Sequence, residues 1–208
     1  MITIEKLTLG PIATNCFLVA DQESKDCVVV DPSWGDPVIM ERVDASLWNL
    51  KAIWLTHAHF DHIAGVAGII RRYPKLPLAL HRLELPLYRD RGGAQAWGIP
   101  IESGPEPTVW LDSMDYLDLG AHRFEVLFVP GHSPGHVAFY DRDSSIILGG
   151  DVLFQAGIGR TDLPGGDHST LLSSIQDHFL TLPDDTKVYP GHGDDTTIGH
   201  ERRMNPFL

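Results

Sequence analysis

The sequence predicts an α/β protein: two β-sheets covered on the outside by helices, in a single domain over residues 1–208. Three observations lead there. The elements read from the chain run as strands, helices, strands, helix, strand, helix. Its 20 Gly and 15 Pro break the chain into many short segments and exclude a helical bundle. With 208 residues, 43% hydrophobic and 21% charged, the chain has the length and apolar content for one real core.

Taken in order, residues 2–9 alternate apolar and polar positions and read as the first strand. Residues 15–20 and 26–31 read as an antiparallel hairpin joined by the polar turn at 21–25. Residues 37–50 predict a helix, with Asp36 as its N-cap and Pro37 at the first helical position. Residues 51–55 are short, apolar and partly β-branched or aromatic, the pattern of a buried strand. Ile63, Val66, Ala67 and Ile70 then fall at helical spacing, predicting a helix over 63–73. A short strand follows at 76–80. Residues 82–104 carry Pro86, Gly92, Gly93, Gly98 and Pro100 and read as an irregular helical excursion. Five strands come next, at 108–111, 116–119, 122–129, 136–140 and 145–148. A helix at 169–180, a strand at 186–189 and a helix at 198–204 close the chain. There is no internal repeat, low-complexity tract or linker.

Net charge is -12 with His neutral. That argues against a nucleic-acid partner, because nothing would displace counterions along a phosphate backbone. The N-terminus lacks a basic region followed by an apolar run, so no signal peptide is expected and the setting is cytoplasmic. No apolar stretch reaches the length of a membrane span. Cys16 and Cys27 are expected to be buried, reduced thiols.

The chemistry concentrates in Thr56-His57-Ala58-His59-Phe60-Asp61-His62, where a strand gives way to a helix. His57 and His59 are two apart, so in extended chain both rings project to one side. Asp61 and His62 fall at the turn. Three imidazoles and a carboxylate within six residues are a donor set for a transition metal. Three further polar residues each follow an apolar strand across Gly or Pro: His132, Asp151 and His192. Seven donors exceed one tetrahedral ion and fit two divalent ions, Zn, Fe or Mn, with Asp151 shared. Asp31, at an earlier strand end, either caps its turn or orients a ligand from behind. His136 reads as such a supporting residue. His81, His122, His168, His178 and His200 lack these flanks and read as surface or capping residues.

His57-x-His59-x-Asp61-His62, Gly131-His132-Ser133-Pro134-Gly135-His136, Gly149-Gly150-Asp151 and Pro190-Gly191-His192-Gly193 together resemble the metallo-β-lactamase superfamily, and within it the short glyoxalase II-like hydrolases. The resemblance implies a four-layer αββα sandwich. It implies one ion held by His57, His59 and His132, another by Asp61, His62 and His192, and Asp151 bridging them. Asp31 matches the superfamily's early strand-end aspartate. Glyoxalase II enzymes add a C-terminal helical part that helps hold glutathione; this chain stops soon after His192. They also place a basic residue and a tyrosine after the bridging aspartate, where this chain has Arg160 and Asp162. Arg160 is therefore either a substrate-binding residue or half of a structural ion pair.

The activity so implied is hydrolysis of a small-molecule thioester, such as one derived from glutathione. Two ions lower the pKa of a shared water from about 15.7 toward about 7, and the resulting bridging hydroxide attacks the thioester carbonyl. Asp61 and Asp151 are the catalytic carboxylates, Asp61 also as local proton acceptor. Alternatives are a mononuclear iron persulfide dioxygenase and a non-catalytic metal-binding module. β-Lactam hydrolysis is not expected, since Asp151 is not part of those sites and no export signal is seen.

Overall fold

The computed structural model describes residues 1–112 and 116–208. They divide into two units, one of Met1–Leu111 with Asp118–His122, the other of Asp112–Leu117 with Arg123–Leu208.

In the first unit the alternating N-terminal segment forms β1 (Ile2–Leu9), which pairs antiparallel with β2 (Thr14–Asp21) and that in turn with β3 (Asp26–Val30). Helix α1 (Asp36–Ala45) leads to β4 (Asn49–Trp54), α2 (Phe60–Ile63) and α3 (Val66–Arg72) to β5 (Leu78–His81), and α4 (Leu85–Arg89) toward β6 (Val109–Leu111). The sheet order is β1-β2-β3-β4-β5-β6, parallel from β3 onward. Leu18, Val29, Ile39, Ile53, Ile69 and Leu78 anchor its core. Burying each such side chain stabilises by about 1.5–3 kcal/mol.

Two helices differ from expectation, each for a tertiary reason. Helix α1 stops at Ala45 rather than at residue 50, and Leu47 turns to φ 56°. Asn49 and Leu50 instead enter a parallel ladder opposite Asp26 and Cys27. Gly35, not Asp36, takes the N-cap position, and Asp36 becomes the first helical residue. The helix expected over 63–73 is two helices parted at Gly65. Its N–H donates to the Pro32 carbonyl (2.8 Å), and a Cβ there would lie 2.5 Å from the Ser33 carbonyl oxygen. Cys16 and Cys27 are free and buried, and burial raises both thiol pKa values, that of Cys27 to about 12.

Asp21, at the end of β2, ties down two turns. Its carboxylate accepts the N–H groups of Glu23 and Ala121, each at 3.1 Å. These bonds, that of Glu23 foremost, hold its pKa at about 2 instead of 3.8. A depressed carboxylate stabilises the fold above the unfolded pKa and loses that contribution as pH falls through the folded one. Wild type is therefore expected to lose stability more steeply than Asp21→Asn between about pH 4 and pH 2, the curves converging below. Urea midpoints across that range check this; parallel curves would contradict it.

The second sheet takes in β7 (Tyr116–Leu119), β8 (His122–Phe128), β9 (Val137–Asp141) and β10 (Ile146–Gly150). A small hairpin, β11 (Leu153–Phe154) and β12 (Gly157–Ile158), precedes α5 (His168–Ser174), β13 (Lys187–Pro190), β14 (Thr196–Thr197) and α6 (Ile198–Met204). The sheet order is β14-β13-β10-β9-β8-β7, with β10 and β13 parallel. Asp167 caps α5 by accepting the Thr170 N–H (2.7 Å), and the helix passes into a π turn at Ile175–Phe179. The β11–β12 hairpin and β14 are two-residue strands too short to show in the pattern. Val129, Ile147, Leu171, Phe179 and Val188 pack its core. Among the described residues no helix is long and apolar enough to cross a membrane.

Candidate metal centre

Parallel strands bring their C-terminal ends to one edge of a sheet, which is where ligand-bearing loops gather. In the first unit Val30 and Trp54 are register partners, so Asp31 and the Thr56-to-His62 segment emerge side by side. Asp31 adopts φ 51°, a left-handed conformation that Asp tolerates better than most residues. Its carboxylate accepts the Thr56 N–H (2.8 Å) and hydroxyl (2.6 Å) and lies 2.9 Å from His62 Nδ1. That contact leaves His62 Nε2 as the ring's lone-pair nitrogen, 3.2 Å from Asp61 Oδ2. The Thr56 hydroxyl hydrogen is committed to Asp31, so His57 Nδ1–H donates to Thr56 Oγ1 (3.0 Å) and His57 Nε2 becomes the donor atom.

The rings of His57 and His59 lie 4.8 Å apart between centroids, and those of His57 and His62 lie 4.1 Å apart. Donor atoms of Asp31, His57 and His62 fall within 4.8 Å of one another. Two contacts in this unit are invisible in the pattern. Thr14 donates its hydroxyl to Asp61 Oδ2 (2.8 Å), and the buried Glu84 accepts the N–H of Ala58, between the two histidines (2.8 Å). Gly92, at φ 64°, completes this clamp, because a Cβ there would collide with the backbone of Phe60 and Ala58.

The second unit gathers His132, Asp151 and His192. Gly150 and Pro190 are register partners in the parallel β10–β13 pair, so Asp151 and His192 leave neighbouring strand ends. Asp151 Oδ2 is 3.5 Å from His132 Nε2 and 3.5 Å from His192 Nε2. His132 Nδ1 lies 2.8 Å from the carbonyl oxygen of Arg160. A carbonyl only accepts, so Nδ1 carries the hydrogen and Nε2 the lone pair. His136 Nε2 accepts the N–H of Asp151 (3.0 Å) and holds that residue's backbone. Arg160 points its guanidinium at Asp162 through two 2.7 Å hydrogen bonds, on the exposed surface. That pairing holds the Asp162 carboxyl at about 2.

Among the other histidines, His81 caps a 3-10 turn by accepting the Leu83 N–H (3.3 Å) while being buried, and His168 and His200 are exposed.

The donors suit divalent ions. His57, His59, Asp61, His62, His132 and Asp151 are buried and His192 half-buried. Three imidazoles present Nε2 because an oxygen takes Nδ1, the usual outer support of metal-bound histidine.

The model of the metallo-beta-lactamase superfamily matches residues 9–192. The chain belongs to that superfamily. Hydroxyacylglutathione hydrolase GloC of Haemophilus influenzae is 37% identical over 207 residues, 99% of this chain and 97% of the relative. A crystal structure of TTHA1623 in a di-iron-bound form matches with TM-score 0.90 and 43% identity over 98% of this chain and 100% of that one. A crystal structure of the B3 metallo-beta-lactamase BLEG-1 matches with TM-score 0.91 and 37% identity over 99% of both chains. These neighbours share the mixed α/β class with two large sheets and helices that the sequence predicts. Membership of the superfamily supports a metal-dependent hydrolase, with His and Asp clusters able to bind metal.

Proposed function

We propose that this protein is a binuclear metal-dependent thioester hydrolase of the hydroxyacylglutathione type. The observation that carries the reading is Asp151 Oδ2 standing 3.5 Å from both His132 Nε2 and His192 Nε2, as suits a carboxylate shared between two ions. On this reading His57, His59 and His132 hold one ion, and Asp61, His62 and His192 the other. Such ions, when bound, acidify a water and polarise the substrate's carbonyl oxygen. The di-iron form of TTHA1623 supports iron alongside zinc or manganese.

The protein's own groups hold these donors and manage the proton. Thr14 fixes Asp61 through Oδ2, and Asp61 serves as ligand and local proton acceptor. The thiolate leaves readily and asks little of a general acid. Arg160 receives an acidic part of the substrate by exchanging Asp162 for it, an exposed pair being weakly held. The name of GloC supports a glutathione-derived thioester. The free thiols Cys16 and Cys27 suit a reducing, cytoplasmic setting. The acidic balance of -12 speaks against nucleic acid as a partner.

The name of BLEG-1 favours one second reading, β-lactam hydrolysis by the same donors. Protein loaded with zinc or iron and assayed on lactoylglutathione, on a chromogenic cephalosporin and for oxygen uptake with glutathione persulfide separates the possibilities. Thioester cleavage is expected. Cephalosporin cleavage alone, or oxygen uptake without thioester cleavage, would overturn the proposal.

A further inference from the structure

The C-terminal helix α6 contains a carboxylate that its own packing does not call for. Glu201 is fully buried, and burying a carboxylate is costly unless hydrogen bonds replace its water. Here they come from three segments. Oε1 accepts the Thr196 hydroxyl (2.5 Å), while Oε2 accepts the Ala156 N–H (2.9 Å) and Asn205 Nδ2 (2.8 Å). Asn205 Nδ2 also donates to the Gly157 carbonyl (3.0 Å). Glu201 and Asn205 thus grip the tip of the β11–β12 hairpin, where Ala156 is held at φ 54°.

That hairpin and its continuation touch every ligand of the second unit. The Phe154 ring meets His192 edge-on, with centroids 6.3 Å apart. Gly159 lies so close to the Asp151 carbonyl oxygen that no Cβ would fit. The Arg160 carbonyl takes His132 Nδ1 (2.8 Å). Thr196, the third point of the grip, stands four residues past His192 and pairs with Val188. One buried side chain therefore fixes the segment behind His132, Asp151 and His192 together with the strand that follows His192.

We propose that Glu201 and Asn205 are positioning residues for this ligand set, a clasp acting through Ala156, Gly157 and Thr196 on the geometry of His132, Asp151 and His192. The inference rests on the metal-centre reading above. The bland alternative is that they only dock α6. Docking has separate contacts: Arg202 donates to the carbonyls of Leu180 and Leu182, and Arg203 pairs with Asp184 (3.0 Å).

Full-length protein is stripped with a chelator and titrated with Co(II) against a competing chelator, reading stoichiometry, affinity and the ligand-field spectrum. Glu201→Gln keeps side-chain size and one acceptor; Asn205→Ala removes the second arm; Arg203→Ala loosens α6 without touching the hairpin. The first two are expected to bind Co(II) roughly 10- to 100-fold more weakly and to alter the spectrum. Arg203→Ala should match wild type in both. If Glu201→Gln does not fold, Asn205→Ala decides. Wild-type affinity and spectrum in the folded clasp variants would overturn the clasp alone. A wild type that binds no Co(II) would overturn the metal-centre reading and the clasp with it, as would thiolate-type bands for the spectrum assigned to His and Asp donors.

Discussion

Asp151→Ala is expected to lose most of its bound metal and its thioester hydrolysis together. The side chain is 7% exposed, and one of its oxygens stands at the same 3.5 Å from two imidazoles. Losing a supporting partner behind a ligand costs roughly 10- to 100-fold in affinity or activity, and losing a shared ligand should exceed that. Asp151→Asn separates charge from shape. It keeps the volume and one carbonyl oxygen but removes the negative charge that two cations would share, so it too should fall well below wild type. Metal content by mass spectrometry, read beside the hydrolysis rate on folded protein, checks this. Full metal content and rate in either variant would contradict the assignment.

Asp31→Ala should damage both stability and metal binding. Its carboxylate takes the Thr56 N–H and hydroxyl and faces His62 Nδ1, all buried. Each buried donor stranded by the substitution costs about 1–3 kcal/mol. Alanine must also adopt φ 51° there, without the polar side chain that makes the conformation tolerable. A loss of about 3 kcal/mol or more lowers the melting temperature of a chain this size by roughly 6–12 °C. Asp31→Asn, which keeps an acceptor and tolerates the backbone, should cost about half as much. Metal affinity should also fall, because His62 loses the group that sets its tautomer. Calorimetry of metal-free protein followed by metal titration tests the two parts separately; an unchanged melting temperature in Asp31→Ala would sink the first.

What the sequence reveals is what short-range pattern determines. Strand β1 alternates apart from the adjacent Glu5 and Lys6, and its bounds and those of α6 are found to the residue. The ligand residues are legible because each follows an apolar strand. The end of α1 and the break at Gly65 are not, since a ladder to β3 and a bond to Pro32 decide them. The supports of the site are hidden for the same reason. Thr14 lies 47 residues from Asp61, Glu84 26 from Ala58, and the Arg160 carbonyl 28 from His132. No local spacing signals contacts of that reach. A backbone carbonyl, moreover, has no sequence signature at all.

The hydrogen bonds behind His57, His62 and His132 have one more consequence. Each of those rings has one nitrogen tied to an oxygen of the protein, which restricts its rotation and lessens the ordering a cation would have to impose. Protein groups thus share the work of orienting the donors, which in small zinc modules falls to the metal itself. Discrimination between metals then falls to their coordination tastes and to cellular supply. One scaffold is left free to exchange its reagent without being rebuilt.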